Sequence, residues 1–103
     1  MSGENNGSDI EIARQDGAEF RSVRLQLQAD GAIRLHAYDK GPTAKLTFGH
    51  DEYEFWVTIP PAEVTKLAGV LLREKFGGRL QAVTELRDFC KQHEIVNAFG
   101  TWT

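Results

Sequence analysis

Few side chains in these 103 residues are spaced for chemistry. Cys90 and His93 lie three apart in a segment of helical period, so they share a face. A thiol beside an imidazole is the minimum for nucleophilic catalysis, or half of a zinc site. Cys90 falls in the apolar stripe of that segment, and no second cysteine or suitably spaced histidine pair completes a metal set. A buried structural cysteine is the stronger reading.

The stretch "GHDEYEFWVTIPP" (49–61) gathers His50, Asp51, Glu52, Tyr53, Glu54 and Trp56. Three acids so close together invite a hard cation. Calcium loops, however, place oxygen ligands at alternate positions around a sharp glycine turn. Here Gly49 precedes the acids, and extended backbone sends Asp51 and Glu52 to opposite sides. Solvated charges at a hairpin tip are favoured. Ser2, Ser8 and Ser22 are the only serines, and none sits in a nucleophile elbow. "KFGGR" follows a helix and not a strand, so it is neither a P-loop nor a dinucleotide fingerprint. Gly77-Gly78 is too short for a helix-turn-helix turn. The segment after it carries Glu85 and Asp88 beside Arg87 and Lys91, which makes a poor major-groove reader. The reading is non-enzymatic, with no cofactor and no metal.

The elements that position these residues follow from hydrophobic period. From residue 21 the period is two. Val23, Leu25 and Leu27 alternate with polar neighbours, then Ile33, Leu35 and Ala37, then Ala44, Leu46 and Phe48, then Tyr53, Phe55, Val57 and Ile59. Four strands with one buried face each are expected. A three-residue loop, Ala29-Asp30-Gly31, pairs positions summing to 60, with Gly31 where a left-handed residue is needed. The loop at 39–42 sets the next sum at 81, and His50-Asp51 sets the last at 101. The inward rows are then uniformly apolar or aromatic, for example Val23-Ala37-Ala44-Val57. One outward row reads Arg24-His36-Lys45-Trp56, with Arg34 and Tyr38 one row away.

After Pro60-Pro61 the period becomes 3.6, and Pro61 suits a helix first turn. Val64, Leu67, Ala68, Leu71, Leu72 and Phe76 form a stripe that Gly77-Gly78 ends. A second helix runs from about Leu80 to His93. The expected fold is α+β: an antiparallel meander in order 1-2-3-4 followed by two C-terminal helices packed on one face. A short extra strand is allowed at either terminus, at "IEIA" (10–13) or in the tail, where Ile95, Phe99 and Trp102 are expected to pack back. Residues 1–9 read as a flexible acidic tail and 10–103 as one domain.

Composition excludes several classes. No apolar run reaches the roughly 18 residues of a membrane span. One cysteine and an acidic start without a signal-peptide pattern point to the cytoplasm. Net charge of −3 disfavours wholesale nucleic-acid binding, but the charge is uneven. Residues 1–20 carry five acids against one base, and residues 21–48 carry five bases against two acids.

Function therefore rests on the outward face. Arg24, Arg34, His36, Tyr38, Lys45 and Trp56 combine cations with rings, as an anionic ligand, an acidic protein surface or single-stranded nucleic acid would require. Two rival readings are a plain solvated face, with Lys45 beside Trp56 as a cross-strand pair, and a face covered by the acidic N-terminal segment or by a homodimer partner. A binding or interaction module is the leading expectation. A structural or oligomerisation protein is the alternative, and an enzyme centred on Cys90 and His93 is the remote one.

Overall fold

The computed structural model describes residues 8–102. Its elements in chain order are β1 (Ser8–Gln15), β2 (Phe20–Leu27), β3 (Ile33–Lys40), α1 (Pro42–Phe48), β4 (Glu52–Ile59), α2 (Pro61–Phe76) and α3 (Ala82–Gln92). The class is α+β. The chain divides into two compact units with the boundary between Lys66 and Leu67, inside α2.

The first unit is built on a four-stranded antiparallel sheet in the order β1-β2-β3-β4. β2 and β3 pair in the register that the Gly31 turn sets, with Arg24 opposite His36 and Val23 opposite Ala37. Gly31 takes φ 95, and the Asp30 carboxylate accepts from Ala32 N–H at 2.9 Å, which fixes the turn. Strand membership differs from the sequence reading at two places. The segment expected as the third strand, 43–48, is the helix α1, and the fourth strand of the sheet is instead β1, which is longer than "IEIA". Local chemistry explains the helix. Gly41 adopts φ 148 and Pro42 opens the first turn, while Gly49 closes the last in the left-handed region. Glu19 from the β1–β2 connection accepts from Thr43 N–H at 2.9 Å, satisfying one free donor of the first turn.

With α1 removed from the sheet, β4 pairs directly with β3, and His36 faces Trp56. The expected sums of 81 and 101 therefore do not occur. β1 takes the other edge and carries a bulge between Glu11 and Ala13. Odd-numbered residues of β2, β3 and β4 share one face with Ile10 of β1; even-numbered ones share the other with Asp9, Glu11 and Arg14. The residues most withdrawn from solvent in this unit are small: Ala32, Ala37, Ala44 and Ser22. Ser8 and Asp9 already belong to β1; residues 1–7 of the expected tail lie outside the described residues.

The second unit holds most of α2, then α3. α2 begins and ends where its sequence signals place it, at Pro61 and before Gly77. Gly77 N–H donates to the Arg73 carbonyl at 2.8 Å, and Gly78 turns the chain with φ 79. Arg79 clamps Glu85 through two hydrogen bonds of 2.6 and 2.5 Å, and the Lys75 ammonium lies 5.6 Å from both the Phe76 and Phe89 ring centres. Among the described residues after α3 there is no strand. Ile95, Phe99 and Trp102 remain exposed, contrary to the packed tail expected, although Arg87 covers the Phe99 ring at 3.8 Å.

Candidate functional site

The even-numbered face of the sheet brings together five of the six residues expected to bind. Arg24 lies on β2, Arg34, His36 and Tyr38 on β3, and Trp56 on β4. Lys45 does not join them. It sits in the last turn of α1, because the segment around it is helical and not extended.

Each of the five is held by a neighbour. The Arg24 Nε–H donates to Asp9 Oδ1 at 2.5 Å, and Glu11 stands 3.9 Å from its Nη1. The Arg34 Nε–H donates to Thr58 Oγ1 at 3.0 Å, and its guanidinium lies 5.5 Å from the Trp56 ring centre. His36 stacks on Trp56, with centroids 5.9 Å apart and planes 20° apart. A carboxylate only accepts, so His36 Nε2 carries the proton it shares with Glu54 Oε1 at 2.8 Å. His36 Nδ1 is buried with no partner in the protein. The Tyr38 hydroxyl donates to Glu52.

Electrostatics follow from this wiring. Asp9 is held below the usual carboxylate range first by its bond from Arg24, and Glu11 first by the Ser22 hydroxyl at 2.5 Å. The Tyr38 phenol is pushed up to about 12, chiefly because it donates to Glu52. The face as a whole is balanced. Asp9, Glu11, Glu52 and Glu54 stand against Arg14, Arg24, Arg34 and Lys40. Of the acidic segment, residues 8–15 pair beside the basic strands as β1, and Asp9 neutralises Arg24 from the edge. No sequence signal located that pairing, because Asp9 and Arg24 are brought together only by strand order.

Elsewhere the candidates stay apart. Glu52 and Glu54 point to the even face, while Asp51 precedes β4 at the turn. Among the described residues no cluster of three His, Cys, Asp or Glu side chains could hold a metal. Cys90 is buried on α3, and the His93 ring turns instead to Phe89, with centroids 4.4 Å apart. Among the described residues Cys90 and His93 share no hydrogen bond, and no helix is long and apolar enough to cross a membrane. No protein-family model, curated protein or solved structure matches this chain.

Proposed function

We propose that this chain is a non-enzymatic interaction module working through the even-numbered face of its sheet, with Arg34, His36 and Trp56 at the centre of the contact. The supporting observation is the Arg34–Trp56–His36 stack, in which a Trp56 that is 55% exposed is braced by the imidazole and faced by the guanidinium. Tryptophan and arginine are the side chains that dominate protein interfaces. Because these are already stacked, docking costs them little further freedom. The balanced charge favours a protein surface of mixed charge over a polyanion, since Glu52 and Glu54 flank the rings and repel phosphates. Single-stranded nucleic acid is the second reading, supported by a guanidinium beside an open indole. The lone cysteine supports a cytoplasmic location.

Two measurements test the reading. An NMR titration with a mixed-sequence single-stranded oligonucleotide at about 150 mM salt is expected to leave Arg34, His36 and Trp56 unshifted. A photocrosslinking side chain at position 56, used in living cells, is expected to give protein adducts that Arg34→Ala removes. Adducts with nucleic acid would promote the second reading. Adducts no stronger than those from a probe at Asp30 would end the first.

A further inference from the structure

The two edges of the sheet are guarded unequally, a property of its backbone and independent of the even-face reading. An edge strand turns the N–H and C=O of every second residue away from its one neighbour, and those groups need a partner. Natural sheets guard such edges with bulges, prolines or lysines. β1 is guarded: it bulges between Glu11 and Ala13, and it mixes Asp9 and Glu11 with Arg14. β4 is not. It pairs with β3 over Glu52–Ile59 without a register shift, and it contains no proline or lysine. Apart from Glu52 and Glu54 its residues are all aromatic or β-branched, the types that strands favour. Among the described residues the sheet ends at β4. The helices α2 and α3 bond their own backbones internally, so neither supplies a further strand.

We propose that the β4 edge is a site of strand addition, taking an extended peptide that alternates cationic and apolar side chains. Main-chain hydrogen bonds along the edge supply affinity, and the two rows beside the new strand supply specificity. On the odd-numbered face its residues lie next to Tyr53, Phe55 and Val57, which apolar side chains suit. On the even-numbered face they lie next to Glu52 and Glu54. Both carboxylates have accepting capacity left. Among the described residues His36 engages only Oε1 of Glu54, and Tyr38 only Oε1 of Glu52, so the second oxygen of each is open to an incoming cation. Residues 51–59 hold three acids and no base, whereas Arg24 and Arg34 stand on β2 and β3, inside the edge. The edge is therefore acidic where the face as a whole is balanced. A second copy of β4 is the poorer occupant, because it brings the same acids and no base.

The test is an NMR titration of the full labelled chain with the end-blocked peptide Lys-Val-Lys-Val-Lys-Val-Lys at about 150 mM salt. At saturating peptide, hydrogen exchange of alternate β4 amides is expected to slow about fivefold, with NOEs joining the peptide backbone to β4. The block isomer Lys-Lys-Lys-Lys-Val-Val-Val has the same charge and composition, and is expected to bind at least about fivefold more weakly. Glu54→Gln is expected to weaken the alternating peptide about threefold. Unprotected β4 amides with peptide at about 5 mM overturn the proposal. Equal binding of the block isomer overturns it too, since charge alone would then be the attraction. So does protection confined to β1. NOEs between the β4 strands of labelled and unlabelled chains, seen without peptide, would assign the edge to a second copy instead. Backbone protection along β4 is not required by the even-face reading, so the two stand or fall separately.

Discussion

The two faces of one sheet carry opposite kinds of surface. On the even-numbered face every residue of the expected site has found a partner of its own: Arg24 with Asp9, His36 with Glu54, Tyr38 with Glu52, Arg34 with Thr58 and Trp56. On the odd-numbered face, within residues 8–66, the apolar side chains meet their row neighbours, Phe48 stacks on Tyr53 at one end and the Arg21 guanidinium lies 5.2 Å from the Phe55 ring centre. A polar face wired by its own residues has little charge left over, so it discriminates by shape and ring stacking. An apolar face has no such internal satisfaction available, because only removal from water stabilises it. The same alternation of residues thus creates one surface wired by its own polar partners and one that is apolar.

The largest expected effect breaks the covered end of the apolar face. Gly41 sits at φ 148 with ψ near 180°, a region that is essentially glycine-only, and an added Cβ would overlap the Ala18 carbonyl oxygen. Gly41→Ala is expected to cost about 3 kcal/mol, read by urea denaturation, and to loosen α1 from Tyr53. A loss below about 1 kcal/mol would mean that α1 contributes little to covering that end.

Ser22→Ala probes the polar face more gently. The Ser22 side chain is buried and its hydroxyl donates to Glu11. Its removal is expected to cost about 1 kcal/mol. Glu11 has a depressed folded pKa, so its contribution is present above the unfolded value and lost as pH falls through the folded one. The gap between Ser22→Ala and the unmodified protein is therefore expected to narrow below about pH 4. A gap that stays constant with pH would detach Ser22 from the charge network.

The smallest effect concerns Tyr38. Its raised value, about 12, means that the folded protein keeps the phenolic proton while the unfolded chain releases it near 10. That contribution is complete below pH 10 and is lost as pH rises toward 12. In a Tyr53→Phe background, phenolate absorbance isolates Tyr38, and Glu52→Gln is expected to move its midpoint downward. An unmoved midpoint would show that Glu52 does not set it.

Much of this was legible in the chain. Gly31 at a three-residue turn fixed the β2–β3 register, and Pro61 with Gly77 bracketed α2. Segment 43–48 misled because six residues satisfy two periods. Ala44 and Phe48 are spaced for a strand face and equally for a helical i, i+4 pair, and flanking Gly41 and Gly49 decide for the helix. The bulge after Glu11 interrupted the alternation that would have announced the full length of β1. Trp56 still fell beside His36: the two expected odd sums each invert parity and so cancel, and the single observed β3–β4 pairing has an even sum that keeps parity.

What the sequence determined by itself is parity: which side chains share a face, because extended backbone alternates with period two whatever its neighbours are. Tertiary structure alone decided adjacency. Asp9 lies 15 residues from Arg24, and Glu54 lies 18 from His36. Whether such acids neutralise a basic row depends on which strand lies beside which, a question of chain topology that no local periodicity answers. That is why the site appeared cationic in the sequence and balanced in the fold.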